Sequence, residues 1–136
     1  EIKAELIDLA KKSNVDANFL DRFPNSKMPN IYQKYSVYIL CSKYEGNPKT
    51  LLEAMSCGLA VIGTDIPGIS SIISNGQNGL LVPEDAVELQ IAIQSLISDV
   101  ALCNTLGDTA REYILKNNSL EHAVPEEYAV YQQLIN

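Results

Sequence analysis

Val37-Tyr38-Ile39-Leu40-Cys41, a polar loop from Ser42 to Asn47, Pro48 to Ser56 closed by Gly58, then Ala60-Val61-Ile62-Gly63: this stretch sets two compact apolar runs on either side of one helical segment. Each apolar run reads as a strand buried on both faces, as parallel strands are. Pro48 suits a first helical position, where its missing N–H does no harm. A strand, a helix and a second strand in so short a span make a βαβ unit.

The same alternation continues outward. Downstream, the turn Asp65-Ile66-Pro67-Gly68 leads to a short helix at 69–74 that ends at Asn75-Gly76, and Gly79-Leu80-Leu81-Val82 is the last strand. Asp85 N-caps a helix to about Ser98, with Glu88 three residues on completing a capping box. Two amphipathic helices follow at 100–116 and 125–135, the second started or kinked by Pro125. Upstream, Met28 to Tyr35 is a short helix with Pro29 in its first turn, and Ala17 to Phe23 reads as a strand bounded by Pro24-Asn25. Ile2, Leu6, Ile7, Leu9 and Ala10 form a helical stripe ending near Ser13-Asn14. This order predicts an α/β fold with right-handed crossovers and a parallel sheet covered by helices on both faces. Ligands of such sheets bind at the carboxyl ends of the strands, here the loops after Phe23, Cys41 and Gly63.

A chain of 136 residues suffices for one core. It starts without Met inside a helix that lacks a strand to cross from, so 1–136 is expected to be a single partial domain. The net charge of −7 speaks against a sequence-independent nucleic-acid binder, which needs a basic face. It leaves room for a small phosphorylated ligand, because helix N-termini hold phosphate without net positive charge. No apolar stretch is long enough to span a bilayer and Glu1-Ile2-Lys3 does not open a signal peptide. A cytoplasmic setting is expected, with the inner membrane face open to the full-length protein as a peripheral site. Cys41, Cys57 and Cys103 read as buried free thiols, His122 as a surface residue, and Tyr113, Tyr128 and Tyr131 as core or interface packing.

The chemistry concentrates between Ser42 and Met55. With Asn47 as N-cap and Pro48 first in the helix, the N–H groups of Lys49, Thr50 and Leu51 are expected to lack intrahelical partners and to form an anion site. Gly46 lets a ligand approach the backbone closely, and Lys43 and Lys49 are candidates to assist a diphosphate. Glu45 and Glu53 flank this site. Carboxylates do not hold phosphate, but they accept strong hydrogen bonds from sugar hydroxyls. Taken singly, a glutamate before a helix serves the dipole and one inside a helix is a solvated charge. Glu53, however, interrupts the apolar Leu51-Leu52-Ala54-Met55, so it is expected to be partly buried and to need a partner.

Glu45-Gly46-Asn47-Pro48-Lys49-Thr50-Leu51-Leu52-Glu53-Ala54-Met55, followed by Cys57-Gly58-Leu59-Ala60-Val61-Ile62 and Asn75-Gly76-Gln77-Asn78-Gly79-Leu80-Leu81-Val82, resembles the family 4 glycosyltransferases. The resemblance implies a Rossmann-like domain, the C-terminal half of a GT-B enzyme, which binds a nucleotide-diphosphate sugar as donor and needs neither cofactor nor metal. It implies that an N-terminal acceptor domain and the first strand of this domain precede residue 1. By position, Glu45 is the catalytic residue through its contact with the donor sugar, and Gly46, Asn47 and Pro48 line the sugar pocket. The N–H groups of Thr50 and Leu51 meet the diphosphate with Lys49 beside them as a donor-binding candidate, Glu53 holds the ribose hydroxyls, and the loop at Arg22 and Phe23 receives the base, largely through backbone. The chain departs from the family pattern at Asp21, Ser71 and Leu120, where Gly, Glu and Trp are common. Transfer with retention to a glycan, lipid or other acceptor is the leading expectation, in polysaccharide biosynthesis. A GT-B epimerase or phosphorylase, and a non-catalytic nucleotide-binding module, are the alternatives. Self-association through an uncovered sheet edge or final helix is also expected.

Overall fold

A computed structural model describes residues 2–135, with the side chains of Leu120, His122, Ala123 and Glu126 outside that description. The surface reading of His122 and the departure at Leu120 therefore lie outside the described residues. The chain runs α1 (Ile2–Lys12), a single 3-10 turn (Asn25–Lys27), α2 (Met28–Tyr32), β1 (Val37–Leu40), α3 (Lys49–Ser56), β2 (Ala60–Thr64) and α4 (Pro67–Ser70). It continues through β3 (Leu80–Val82), α5 (Ala86–Ser98), α6 (Val100–Asn117) and α7 (Leu120–Ile135).

The three strands form one parallel sheet in the order β1-β2-β3. Val37 to Leu40 pair with Ala60 to Gly63, and Ile62 to Thr64 pair with Leu80 to Val82. Side chains of a strand alternate between faces, and two cores result. Tyr38, Leu40, Val61 and Leu81 pack on one face with α3, Ile69 of α4, and Ala110 and Ile114 of α6. Val37, Ala60, Ile62, Leu80 and Val82 pack on the other with α5 and with Cys103 and Leu106 of α6. The α/β Rossmann-like architecture, a parallel sheet with helices on both faces, is thus observed. Full burial of Leu51, Met55, Ile62, Ile69 and Leu106 contributes about 1.5–3 kcal/mol for each side chain.

α6 reaches both cores because it passes close to the end of α3. Gly58 adopts φ 80, and its N–H and that of Leu59 bond back to Met55 O and Ala54 O, a Schellman closure that favours glycine. A side chain on Gly107 of α6 would collide with Gly58 O, so glycine there admits the helix to the turn. No single helix among the described residues is long and apolar enough to cross a membrane.

Several expectations are corrected. Residues 17–23 form no strand: no ladder reaches them, Asn18, Asp21 and Arg22 interrupt the apolar run, and Leu20 and Phe23 are exposed. β1 is only half-buried, with Ile39 exposed, because it pairs on one side alone. α2 stops at Tyr32, α4 begins at Pro67 rather than Ile69, and α7 runs through Pro125, whose ring costs the helix one hydrogen bond. Asp85 accepts from the N–H groups of Val87 and Glu88, but its own N–H bonds to Pro83 O, so Glu88 does not complete a capping box. Cys103 is buried, whereas Cys41 is exposed and Cys57 intermediate. Tyr113 is half-buried, whereas Tyr128 and Tyr131 are exposed, which corrects the core reading for those two.

Candidate functional site

β1 delivers the chain to the carboxyl edge of the sheet, the loop 41–48 crosses that edge, and α3 turns back beneath it. Pro48, buried, is the residue before the helix and Lys49 the first within it; no side chain caps the end. The Asn47 cap is therefore corrected: its carbonyl accepts from the Lys49 N–H at 2.9 Å. Pro48 O accepts from the N–H groups of Leu51, at 3.0 Å, and Leu52, at 3.3 Å. Of the three N–H groups expected to be open, only that of Thr50 has no acceptor among the described residues. The Leu51 side chain is fully buried in the core.

Glu53 is half-buried on α3, and its Oε2 accepts a hydrogen bond from the Tyr32 hydroxyl at 3.1 Å. The partner that its apolar surroundings called for is thus Tyr32. Burial, and next the adjacent Glu53 carboxylate, push the Tyr32 hydroxyl well above the usual tyrosine range. The Tyr32 ring meets Tyr38 edge to face at 6.0 Å, and the Tyr38 hydroxyl bonds to Thr50 Oγ1 at 2.7 Å. Burial raises the Tyr38 phenol, the Thr50 bond opposes that, and the charges of Glu45 and Glu53 add to the rise. Both carboxylates therefore act on one hydroxyl beside the helix N-terminus.

Glu45 is half-buried, and its Oε1 accepts from the Ser42 hydroxyl at 2.6 Å. Ser42 is tied in turn to β2, where Thr64 donates its hydroxyl to Ser42 O at 2.5 Å. Gly46 is exposed, and the space a side chain would fill there is open. Lys43 turns away, bonding Glu84 at 2.6 Å across the β3–α5 loop, so it does not serve the helix end.

A cavity of about 520 Å³ opens beside α3. It gathers Arg22, Phe23, Lys49, Thr50 and Glu53 with Leu20, Asp21, Asn25, Met28 and Ile31. Glu45, Gly46, Asn47, Pro48 and Leu51 lie outside its lining. Asp21 is engaged by Lys3 at 2.9 Å, which lowers its carboxyl below the usual range. Arg22 and Lys49 have no ion-pair partner among the described residues. The site therefore offers two cations and one helix-end N–H, with a carboxylate at either side. Tyr32, Tyr38, Ser42 and Thr64 went unremarked in the sequence. The available signal was the position of Tyr38 two residues before Leu40, on the face that a helix covers, where a buried hydroxyl must find a partner.

Residues 1–113 match the family described as "Glycosyl transferases group 1". The alpha-maltose-1-phosphate synthase of Mycolicibacterium smegmatis is 29% identical over 121 residues, which cover 84% of this chain and 31% of that protein. The solved sucrose-phosphate synthase from Thermosynechococcus elongatus superposes with a TM-score of 0.88 at 28% identity, over 97% of this chain and 34% of its own. The C-terminal domain of a glycosyl transferase group 1 family protein from Francisella tularensis gives a TM-score of 0.74 at 26% identity, over 88% and 63%. The chain spans about a third of the length of the first two. With the match covering most of its residues, this chain belongs to the glycosyl transferases group 1 family.

Proposed function

We propose that this chain is the donor-binding part of a GT-B glycosyltransferase of family 4, which moves a sugar from a nucleotide-diphosphate sugar to an acceptor with retention at the anomeric carbon. The observation that carries this reading is the pair of half-buried carboxylates Glu45 and Glu53, one in the loop before α3 and held by Ser42 at 2.6 Å, the other on α3 and held by Tyr32 at 3.1 Å. A ligand of alternating chemistry fits that order: sugar hydroxyls to Glu45, diphosphate to the Thr50 N–H and the helix dipole, ribose hydroxyls to Glu53. Arg22 and Lys49, beside the cavity and without an ion-pair partner among the described residues, add the cations that a diphosphate favours. The cavity at Arg22 and Phe23 has room for a nucleobase.

In this reading the chain accelerates transfer chiefly by stabilising charge. The bond from the anomeric carbon to the diphosphate breaks through an oxocarbenium-like state, and the leaving oxygens gain negative charge beside the α3 N-terminus. Glu45 contacts the hydroxyls of the sugar as positive charge builds on its ring. No residue is assigned as a nucleophile. Gly46, Asn47 and Pro48 shape the sugar side of the pocket, where the open space above Gly46 admits the ligand. The acceptor is held by a separate N-terminal domain, in a cytoplasmic pathway of polysaccharide synthesis.

The test is a thermal-shift panel on the full-length protein: UDP-, GDP- and ADP-sugars, the bare nucleoside diphosphates and free sugars. Stabilisation follows binding to the native state. The expected result is a larger shift with one nucleotide sugar than with its nucleotide, and none with free sugar. Equal shifts with nucleotide and nucleotide sugar, or no shift at all, would overturn the reading.

A further inference from the structure

We infer that Gly68 is a positioning residue for Glu45, holding the sugar-side carboxylate in place by what it lacks. The inference rests on the proposed role of Glu45. A Cβ built on Gly68 would run into the carbonyl oxygen of Glu45, with the Glu45 carbonyl carbon at 2.6 Å and its Cβ at 3.1 Å. Backbone atoms cannot swing aside as a side-chain tip can. The carbonyl oxygen is nearer still than the carbonyl carbon, so one of the two segments must retreat by well over ~1 Å to restore a van der Waals separation of about 3.5 Å.

The conformation of Gly68 does not explain its glycine. Positive φ among the described glycines occurs only at Gly58 and Gly76, and Gly68 lies inside α4, where alanine is intrinsically favoured by close to 1 kcal/mol. The contact with Glu45 is what an alanine would lose. Nor can α4 give way easily: the next residue, Ile69, is fully buried in the core and bonds back to Ile66 O. The loop carrying Glu45 is largely exposed and would move instead. It is pinned at its other end, where Thr64 bonds to Ser42 O and the Ser42 hydroxyl to Glu45 Oε1. Displacing the Glu45 backbone while Ser42 stays fixed breaks the bond that aims the carboxylate. β2 and α4 therefore set Glu45 through two contacts, one steric at Gly68 and one polar through Ser42.

The experiment compares Gly68→Ala, Ser42→Ala and Glu45→Gln in the full-length protein. Each is titrated with UDP and with UDP-glucose (or the GDP or ADP pair if the panel selects that base), and turnover is measured. A misplacement of this size near the chemistry costs up to about a hundredfold. Gly68→Ala is therefore expected to lose roughly tenfold or more in sugar-nucleotide affinity or turnover, with nucleoside diphosphate affinity within about twofold of wild type. Ser42→Ala should shift the same balance by a smaller factor. Equal losses for both ligands in Gly68→Ala, or none, overturn the inference; if Gly68→Ala does not fold, a Ser42→Ala variant indistinguishable from wild type overturns it. The Glu45→Gln arm separates the two levels. If that variant itself fails to distinguish the ligands, the sugar-side role of Glu45 falls, and the positioning role with it.

Discussion

The Tyr32 hydroxyl is held between a buried ring and a half-buried carboxylate, and this couples stability to alkaline pH. Tyr32→Phe keeps the ring and removes the donor, leaving Glu53 Oε2 short of a partner. The expected cost is about 1–3 kcal/mol, read as a lower midpoint in urea at unchanged slope. The native hydroxyl is raised above its unfolded value of about 10. Between those two values the unfolded chain has released the proton and the native chain retains it, so stability falls as pH rises. The contribution is complete below pH about 10 and lost above it, and Tyr32→Phe should flatten that decline in a series of unfolding curves. A decline of equal steepness in the variant would assign the effect to other groups, Tyr38 first. The need of Glu53 for a partner was legible from the apolar residues around it. The identity of that partner was not, because Tyr32 lies 21 positions away on another helix and only the packing of α2 on α3 brings them together.

The N-terminus of α5 offers a clean comparison. Asp85 caps two N–H groups, while the return bond from Glu88 is pre-empted by Pro83 O. Asp85→Ala should cost about 0.5–2 kcal/mol, and Glu88→Ala should change stability by no more than about 0.5 kcal/mol, both measured by chemical denaturation. Comparable losses in the two would restore the reciprocal box. The βαβ unit around α3 was readable because its signals agree: two apolar runs at strand length, and a helix closed by a glycine whose φ of 80 other residues resist. The segment 17–23 was misread as a strand because a local run of apolar residues carries no information about whether a sheet edge is available to it. The N-terminus of α3 was half legible. Pro48 and Asn47 do mark the helix start, but which carbonyl accepts which N–H depends on the turn geometry, and a one-residue shift of the cap closed two of the three expected donors.

For the whole molecule, two cores on opposite faces of one small sheet leave the flanking helices with much apolar surface. α1 buries none of its residues, and Ile2, Leu6 and Leu9 are exposed on it; on α7, Tyr128, Tyr131, Leu134 and Ile135 are more than 60% exposed. Such surface favours association. Light scattering of the 136-residue chain should show a mass that grows with concentration, and replacing Leu134 and Ile135 by serine should reduce the growth. A constant monomer mass at high concentration would contradict this. Calorimetric titration of Glu45→Gln and Glu53→Gln in the full-length protein tests whether one ligand spans the two carboxylates. Glu53→Gln should weaken the nucleoside diphosphate and the nucleotide sugar alike, by about 1.5–3 kcal/mol or roughly ten- to a hundredfold. Glu45→Gln should spare the bare nucleotide and weaken only the nucleotide sugar, with a loss of turnover if the contact tightens in the transition state. Equal losses for both ligands in both variants would contradict the division between sugar and ribose, and unchanged affinities throughout would return both glutamates to solvated surface charges.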